Sequence, residues 1–281
     1  MSKIAYDPIK DSFAGFIRRS RVLRRIFYFI LDLIFLRGWH VRRQLKKAGG
    51  KLDATREWKL LDAGCGFGQY DRFILDRFRK VRVASMDVKE SYLEDCRFYF
   101  QDEIGKNRIQ FFYGDLLDAG SLEQEAFDFI ICIDVLEHIE QDRAALRNMA
   151  RSLKPGGYFL MHSPSHYSSE DAGEEDSFVG EHARAGYSKQ EITAKMQEAG
   201  LAPERVRYTY GRYGHFAWRL SVKVPLIWFN KIGMSAGLPL LVYYPLVIPL
   251  CLILNFLDLH VDNKKGNGVC AFGIRPPVGD G

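Results

Sequence analysis

Two short stretches concentrate the residues that could do chemistry. The first is Lys59 to Tyr70, KLLDAGCGFGQY, where an apolar run leads directly into three alternating glycines, Gly64, Gly66 and Gly68. Glycine permits tight backbone angles and lets a ligand touch the main chain, so a strand followed by this loop and a helix is a nucleotide cradle. The dinucleotide fingerprint Gly-x-Gly-x-x-Gly is not met, because the third glycine comes one residue early and Gln69 occupies the expected place. A pyrophosphate would want that missing glycine. The second stretch is IDVLEHI, in which Asp134, Glu137 and His138 crowd together. An imidazole there can take a proton from a phenol, hydroxyl or amine. The three side chains are also oxygen and nitrogen donors of the kind that hold one divalent ion, such as Mg2+.

Such residues need elements to position them. From Trp58 to Pro164, short apolar runs alternate with helical periods. Strands are expected at Lys59–Ala63, Val81–Val88, Arg108–Tyr113, Phe127–Val135 and Tyr158–Ser163, with helices at Tyr70–Arg79, Ser91–Gln101 and Asp142–Leu153 and a turn at Lys154–Gly157. The alternation implies parallel strands joined by right-handed crossovers, an α/β, doubly wound sheet. Ligands of such sheets sit at the C-terminal ends of the strands. The glycine loop follows the first strand, Asp87 ends the second, Asp115 follows the third, and Asp134 to His138 follow the fourth. Beyond them, Ser165–Tyr187 reads as a polar, acidic loop or lid, Ser188–Ala199 as a helix, and Arg205–Tyr210 and Val269–Ile274 as further strands.

The segments LLDAGCGFG, VASMDV, FFYGDLLD, FDFIICIDVLEHI and LKPGGYFLM, in this order and at these intervals, resemble the successive motifs of class I S-adenosylmethionine-dependent methyltransferases. The resemblance covers about Trp58 to Arg275 and implies a Rossmann-like seven-stranded sheet with its last strand antiparallel. It implies S-adenosylmethionine as cofactor, with Asp62 steadying the loop and Gly64, Cys65, Gly66 and Gly68 facing the methionine part. By the same resemblance Asp87, with Val88 beside it, accepts both ribose hydroxyls, Asp115 and Leu116 hold the adenine, and Ile133 lines the cofactor. A carboxylate suits a ribose diol as a two-point acceptor. The acidic-x-x-Glu-His pattern is similar to that of quinone-biosynthesis O-methyltransferases, some of which use a metal there; Asp134 stands where that group has Glu and reaches less far. SPSHYSS and GEHARAGYS resemble acceptor-side loops, which makes His162, His166, Tyr167, His182 and Tyr187 candidates to line an acceptor pocket.

Composition narrows the partners. The 281 residues carry a net charge of only +5, which does not suggest nucleic-acid binding. Cys65, Cys96, Cys132, Cys251 and Cys270 are scattered without a CxxC spacing, so neither a zinc site nor a disulfide framework is suggested and a reducing cytosol is expected. No signal-peptide pattern opens the chain. Residues 1–57 form a basic amphipathic helical region: Arg18, Arg19, Arg21, Arg24, Arg25, Arg37, Arg42, Arg43, Lys46 and Lys47 are interleaved with an apolar series from Phe13 to Leu36. A helix of that kind suits an anionic membrane surface. Residues 58–212 and 264–277 are assigned to the methyltransferase domain, and 213–263 to an apolar insertion.

Within that insertion Gly237–Leu257 has no charged residue, and Pro239, Pro245 and Pro249 interrupt it. A bilayer span takes about 20 such residues. The two flanking strands should be neighbours, so a single crossing is excluded. An interfacial or re-entrant hairpin with Ala217–Ile232 as its first arm is expected, the soluble alternative being a cap over the acceptor pocket or a homodimer contact. The expectation is a methyltransferase acting on a hydrophobic or lipid-linked small molecule, by O-methylation, in the cytoplasm at the inner face of a membrane. An NAD-dependent oxidoreductase and a non-catalytic, cofactor-binding membrane subunit are the alternatives.

Overall fold

The computed structural model describes residues 20–168 and 186–277. Its centre is a seven-stranded sheet made of β1 (Trp58–Ala63), β2 (Val81–Asp87), β3 (Ile109–Tyr113), β4 (Phe127–Ile133), β5 (Leu153–Pro164), β6 (Ala202–Thr209) and β7 (Gly268–Ile274). The spatial order is β3-β2-β1-β4-β5-β7-β6. Strands β1 to β5 pair in parallel, whereas β7 runs antiparallel to both β5 and β6. The expected α/β, doubly wound sheet with its last strand antiparallel is therefore the observed one. β4 is buried along its whole length, as a strand covered by helices on both faces must be.

Helices α1 (Arg21–Ile34) and α2 (Leu36–Thr55) precede the sheet, and Phe35, with extended backbone, separates them. Crossovers follow: α3 (Gln69–Arg77), α4 (Glu90–Tyr99), the short α5 (Gln101–Gly105), α6 (Asp142–Ser152) and α7 (Lys189–Glu198). The core divides into one cluster on each side of the sheet. One is built around Leu61, Ile130 and Phe159. The other holds Leu60, Phe129 and Leu160 together with Val41, Leu45 and Ala48 of α2. Successive residues on β1, β4 and β5 thus point to opposite faces, the period of a strand.

Between β6 and β7 lies a helical hairpin. Its first arm is α8 (Arg212–Trp218), a π turn (Arg219–Lys223) and α9 (Val224–Ile232); its second is α10 (Gly237–His260). Two details differ from the sequence expectation. KPGG does not separate a turn from a strand, since β5 already begins at Leu153 and includes it. The prolines do not interrupt α10 either: Pro239 falls in its first turn, where the N–H has no intrahelical partner anyway, and Pro245 and Pro249 lie inside a continuous helix. In the first arm, Pro225 gives no N–H to the preceding turn, and the hydroxyls of Tyr243 and Tyr244 donate to the Leu220 and Ser221 carbonyls instead (2.9 and 3.3 Å). Those bonds also tie the two arms together.

α1 turns its polarity inside out. Arg24 and Tyr28 face the domain and are buried, while Val22, Ile26, Phe29 and Ile30 are 45–67% exposed. Arg24 donates to the carbonyls of Asp95 (2.6 Å) and Phe67 (2.8 Å) and to the Tyr28 hydroxyl (2.8 Å). Arg42 and Arg72 both pair with Asp32. Arg24 and Arg42, both assigned to a membrane surface, are therefore spent on fastening α1 to the domain and to α2, and the outward face of α1 is mainly apolar, with Arg25 exposed among its hydrophobic residues.

Candidate functional site

β1 lies between β2 and β4, where the strand order reverses, so the crevice above its C-terminal end is the ligand position of this topology. Gly64, Gly66 and Gly68 occupy it with φ of +87°, +52° and +71°. A Cβ on Gly64 would lie 2.3 Å from Val135 Cγ2, and one on Gly68 would lie 2.8 Å from the Phe100 ring. Around Gly66 a Cβ would meet nothing within 4 Å, so that residue opens onto free space. Asp87 stands at the rim: Oδ2 accepts from the Gly66 N–H (2.9 Å) and Oδ1 from the Lys89 N–H (2.9 Å). Each oxygen keeps a further lone pair. Cys65 and Ile133 are buried beneath, and Leu116 at the side, whereas Val88 is 57% exposed. Asp115 is exposed and accepts from the Leu117 N–H (2.9 Å), closing its own turn. An open glycine cradle with an acid at its rim fits an adenosyl cofactor. Asp87 would take the ribose hydroxyls there, and the α1 arginine, Arg24, holds the Phe67 carbonyl of the same loop.

Asp62 lies under the loop, fully buried beside Asp71 of α3, to which the Ser85 hydroxyl donates (2.8 Å). Burial raises both carboxyls, Asp71 to about 7, and at Asp62 the Asp71 charge adds to burial. Each carboxyl has an oxygen without a hydrogen-bond partner, which a shared proton would serve. A carboxyl whose folded pKa exceeds its unfolded value near 3.9 binds more protons folded than unfolded in between, so its contribution falls as pH rises. The stability of the protein should therefore decline with rising pH between about 4 and 7, by up to about 1.4 kcal/mol per pH unit for one such group. Asp71→Asn should flatten that slope in melting curves taken across the window; an identical slope in wild type and variant would show that the pair holds no extra proton.

The second stretch is organised differently from its sequence expectation. Asp134 has φ of +53° and its N–H donates to the His162 carbonyl (2.8 Å), which swings its side chain over the ends of β4 and β5. There it pairs with Arg37 of α2 and with His162 Nδ1 (2.9 Å), while His162 Nε2 meets the Thr209 hydroxyl (3.0 Å). Burial opposes ionisation of Asp134, but the Arg37 charge and the His162 hydrogen bond outweigh it and hold the carboxyl well below its usual range. Glu137 is buried, accepts from the Ser163 hydroxyl (2.9 Å), and is pushed up to about 8 by burial and by the Asp134 charge. His138 is exposed at the end of the 3-10 turn Leu136–His138.

The expected divalent-ion set is accordingly corrected. Asp134 is occupied by Arg37 and His162, Glu137 by Ser163, and no metal-holding group of three or more such residues occurs among the described residues. Of the acceptor-side candidates, Tyr187 is core: its hydroxyl bonds the Leu136 carbonyl (3.1 Å) and Asp142 (2.7 Å). His162 is buried in the Asp134 chain, His166 packs on Tyr167 with ring centroids 3.9 Å apart, and Tyr167 lines a cleft. His182 and the acidic run Glu170–Asp176 lie outside the described residues, as do residues 13 to 19 of the expected N-terminal helix.

That cleft was not foreseen from the sequence. It has a volume of about 710 Å³ and sits where β6 gives way to the hairpin, with Tyr167, Tyr210, Arg212, Phe216, Leu254 and Lys265 in its wall. Tyr210 links it to the Asp134 chain, since its hydroxyl accepts from the Arg37 backbone N–H (3.1 Å). In sequence Arg37 reads only as one member of the basic series, because its partner Asp134 lies 97 positions away.

Residues 61–161 match a family described as methyltransferase domain. O-methyltransferase resE of Aspergillus sclerotiorum is 25% identical over 114 residues, 41% of this chain and 42% of that one. Methyltransferase GfsG of Streptomyces halstedii is 34% identical over 109 residues, 38% of each chain. Ubiquinone biosynthesis O-methyltransferase of Idiomarina loihiensis is 29% identical over 99 residues, 35% of this chain and 39% of that one. The matches therefore span less than half the length of these three relatives. In fold the chain is similar to phosphoethanolamine N-methyltransferase 2 of Haemonchus contortus, solved with S-adenosyl-L-methionine: TM-score 0.60, 19% identity, 98% of this chain and 61% of that one. It is also similar to an S-adenosylmethionine-dependent methyltransferase of Mesorhizobium loti: TM-score 0.54, 15% identity, 86% of this chain and 98% of that one. The domain match and the antiparallel β7 favour methyl transfer over the dinucleotide-dependent oxidoreductase.

Proposed function

We propose that this chain, a class I S-adenosylmethionine-dependent methyltransferase by its domain match and strand order, methylates a hydrophobic small molecule at a membrane surface, with oxygen as the acceptor atom. One observation carries the membrane part: the apolar hairpin leaves the sheet at the edge that holds the glycine loop. β6 runs parallel to β5, so the end of β6 and the start of β7 lie at the same edge as the end of β1. A substrate drawn from lipid would arrive at the same edge of the sheet as the cofactor cradle, with β4 and β5 between them. The O-methyltransferase relatives favour oxygen. The sulfonium methyl is already activated, so the protein's task is alignment of the acceptor. His138, exposed at the ligand edge, is our candidate to take the acceptor's proton.

Geometry favours docking over crossing. α10 has 24 residues and is apolar enough to cross, with 11% of its most apolar window buried. Its last part is held to the domain, however: Cys251, Asn255 and Asp258 are buried, Asn255 donates to the Ile34 carbonyl (3.3 Å), and the Leu259 carbonyl accepts from Arg43 of α2 (2.7 Å). The free part, Gly237 to Leu250, extends roughly 20 Å at the helical rise, short of the hydrocarbon core of about 30 Å. It is also the most exposed, with Leu238, Leu241, Val242 and Leu246 at 68–78%. The hairpin tip thus enters one leaflet, and the apolar stripe of α1 lies against the same surface.

Because the outward faces are apolar, binding to phosphatidylcholine–phosphatidylglycerol vesicles should survive 1 M salt, conditions that shrink the Debye length to about 3 Å. Leu241→Asp with Leu246→Asp should abolish flotation, each buried leucine being worth about 1.5–3 kcal/mol. Release of the wild type by salt alone would show a surface held by charge. A wild type that ignores vesicles altogether would make the hairpin a contact between protein chains. Methyl transfer from labelled S-adenosylmethionine into a lipid extract tests the activity, and its absence would favour a non-catalytic cofactor-binding subunit.

A further inference from the structure

The cleft beside the hairpin base combines two chemistries in one wall. Arg212 and Lys265 supply positive charge, and among the described residues no acidic side chain lines the cleft and neither cation belongs to an ion pair. Lys265 Nζ stands 5.1 Å from the centre of the Tyr167 ring. Tyr167, Tyr213 and Phe216 make the remainder largely aromatic. At the far side is Leu254 of α10, and Leu250 and Leu246 follow it at four-residue spacing, 45% and 73% exposed. Residues four apart share a helix face. An apolar track therefore begins inside a cationic cleft and runs out along the hairpin toward its free tip.

The floor of the cleft is rigid and adjoins the reaction edge. The Asn267 N–H donates to the Tyr210 carbonyl (3.2 Å), and the Ser165 N–H donates to the Asn267 carbonyl (2.9 Å), locking the β6–β7 connection to the end of β5. A Cβ on Gly266 would lie 2.3 Å from the Thr209 carbonyl oxygen, so the backbone there packs as closely as glycine allows. Tyr210 belongs both to the cleft and, through the Arg37 N–H, to the chain that ends at Asp134.

We propose that this cleft binds the anionic, phosphate-bearing headgroup of an amphiphilic acceptor, with Arg212 and Lys265 on the phosphate and the acyl or prenyl tail laid along Leu254, Leu250 and Leu246. The proposal deepens the methyltransferase reading above and rests on it for the word acceptor, but the binding itself does not depend on the cofactor. Charge on the headgroup supplies selection, and the tail supplies the remaining affinity, as apolar burial does elsewhere. A headgroup held in the cleft stands where β6 gives way to the hairpin, at the same C-terminal edge of the sheet as the glycine loop that follows β1.

The test uses three soluble probes with the full chain: dihexanoyl phosphatidic acid below its micelle concentration, dihexanoyl phosphatidylcholine, and glycerol 3-phosphate. Calorimetry should show phosphatidic acid binding roughly tenfold or more tighter than either of the others, since one lacks the net charge and the other the tail. Arg212→Gln and Lys265→Gln should each weaken phosphatidic acid roughly tenfold, and Lys231→Gln at the hairpin tip should leave it unchanged. Equal binding of the choline lipid, or unchanged binding in both cleft variants, overturns the headgroup site. Glycerol phosphate binding as tightly as the lipid assigns the cleft to a soluble phosphate and overturns the amphiphile. Titration of S-adenosylmethionine on the same samples separates the two ideas: loss of cofactor binding in the wild type would sink the methyltransferase reading while leaving the lipid titration to decide the cleft.

Discussion

Gly66→Ala is expected to weaken S-adenosylmethionine binding about 100-fold while costing the fold only the backbone strain of about 1–2 kcal/mol, whereas Gly64→Ala should cost the fold considerably more. The two glycines share a positive φ, +52° and +87°, and so share a backbone cost of about 1–2 kcal/mol for any L side chain. They differ in what the added methyl meets. At Gly64 it would overlap Val135 at 2.3 Å, and overpacking of that kind costs about 1–3 kcal/mol more. At Gly66 it would enter open space with no protein atom within 4 Å, the volume that the proposed cofactor would occupy. Thermal melting and calorimetry on the two variants therefore separate packing from binding. Val135→Ala in the Gly64→Ala background should recover the overlap part of the stability loss but not the backbone part. Normal cofactor affinity in Gly66→Ala would mean that the ligand does not lie on this loop. Asp87→Ala should weaken binding by about 1.5–3 kcal/mol as charge-assisted hydrogen bonds are lost, and the exposed Asp115 should matter less.

The cradle was legible in the sequence because everything it needs is local. A strand, a glycine loop and a helix are read from consecutive residues, and Asp87 from the end of the next strand. The sheet was legible for the same reason, since each apolar run declares its own strand. Placement of the apolar insertion also followed, because β6 and β7 must be neighbours for the fold to close. What escaped were pairings set by tertiary contact. The arginines of α1 and α2 read as a membrane-facing series, yet Arg24 reaches the Phe67 carbonyl and Arg37 reaches Asp134. A hydrophobic stripe on a helix does not say which side faces the protein; here four backbone and side-chain acceptors for Arg24 outweigh the apolar side, which is left outward. The acidic-x-x-Glu-His stretch misled in the same way. Spacing places Asp134, Glu137 and His138 near one another, but the positive φ at Asp134 and the 3-10 turn after it send the three side chains to Arg37, to Ser163 and to the surface. Prolines misled about α10, which runs on through Pro245 and Pro249 as one helix.

Arg37→Ala should cost about 2–3 kcal/mol at neutral pH, less than the 3–5 of a fully buried broken pair, because the Arg37 and Asp134 side chains remain 32% and 23% exposed. The sign of its pH dependence follows from Asp134. Its carboxyl is held well below the usual range in the folded state, so the stability it contributes is present above the unfolded value near 4 and is lost as pH falls through the folded one. The gap between wild type and Arg37→Ala should therefore be widest near pH 7, begin to narrow below about pH 4, and close only as pH falls through the folded value, where Asp134 is protonated even beside its partner. Asp134→Asn should behave differently: it keeps a side chain on His162 and removes the charge, so its gap to wild type should be smaller than that of Arg37→Ala. In the double variant Arg37→Ala with Asp134→Asn, no uncompensated carboxylate remains, and the combined loss should fall short of the sum of the two single losses. A stability gap for Arg37→Ala that stays constant from pH 7 to pH 3, or strict additivity in the double variant, would mean that the pair does not hold α2 over the reaction edge. Should the coupling be found, it has a functional consequence. Arg37 opens the first turn of α2, right after the Phe35 break, and its N–H and guanidinium engage Tyr210 and Asp134 at once. The pair then fixes where the N-terminal helices, with their apolar outer stripe, stand relative to the ends of β4 and β6. Loosening it should raise the acceptor KM more than it changes cofactor affinity, because the glycine loop and Asp87 are built from other residues.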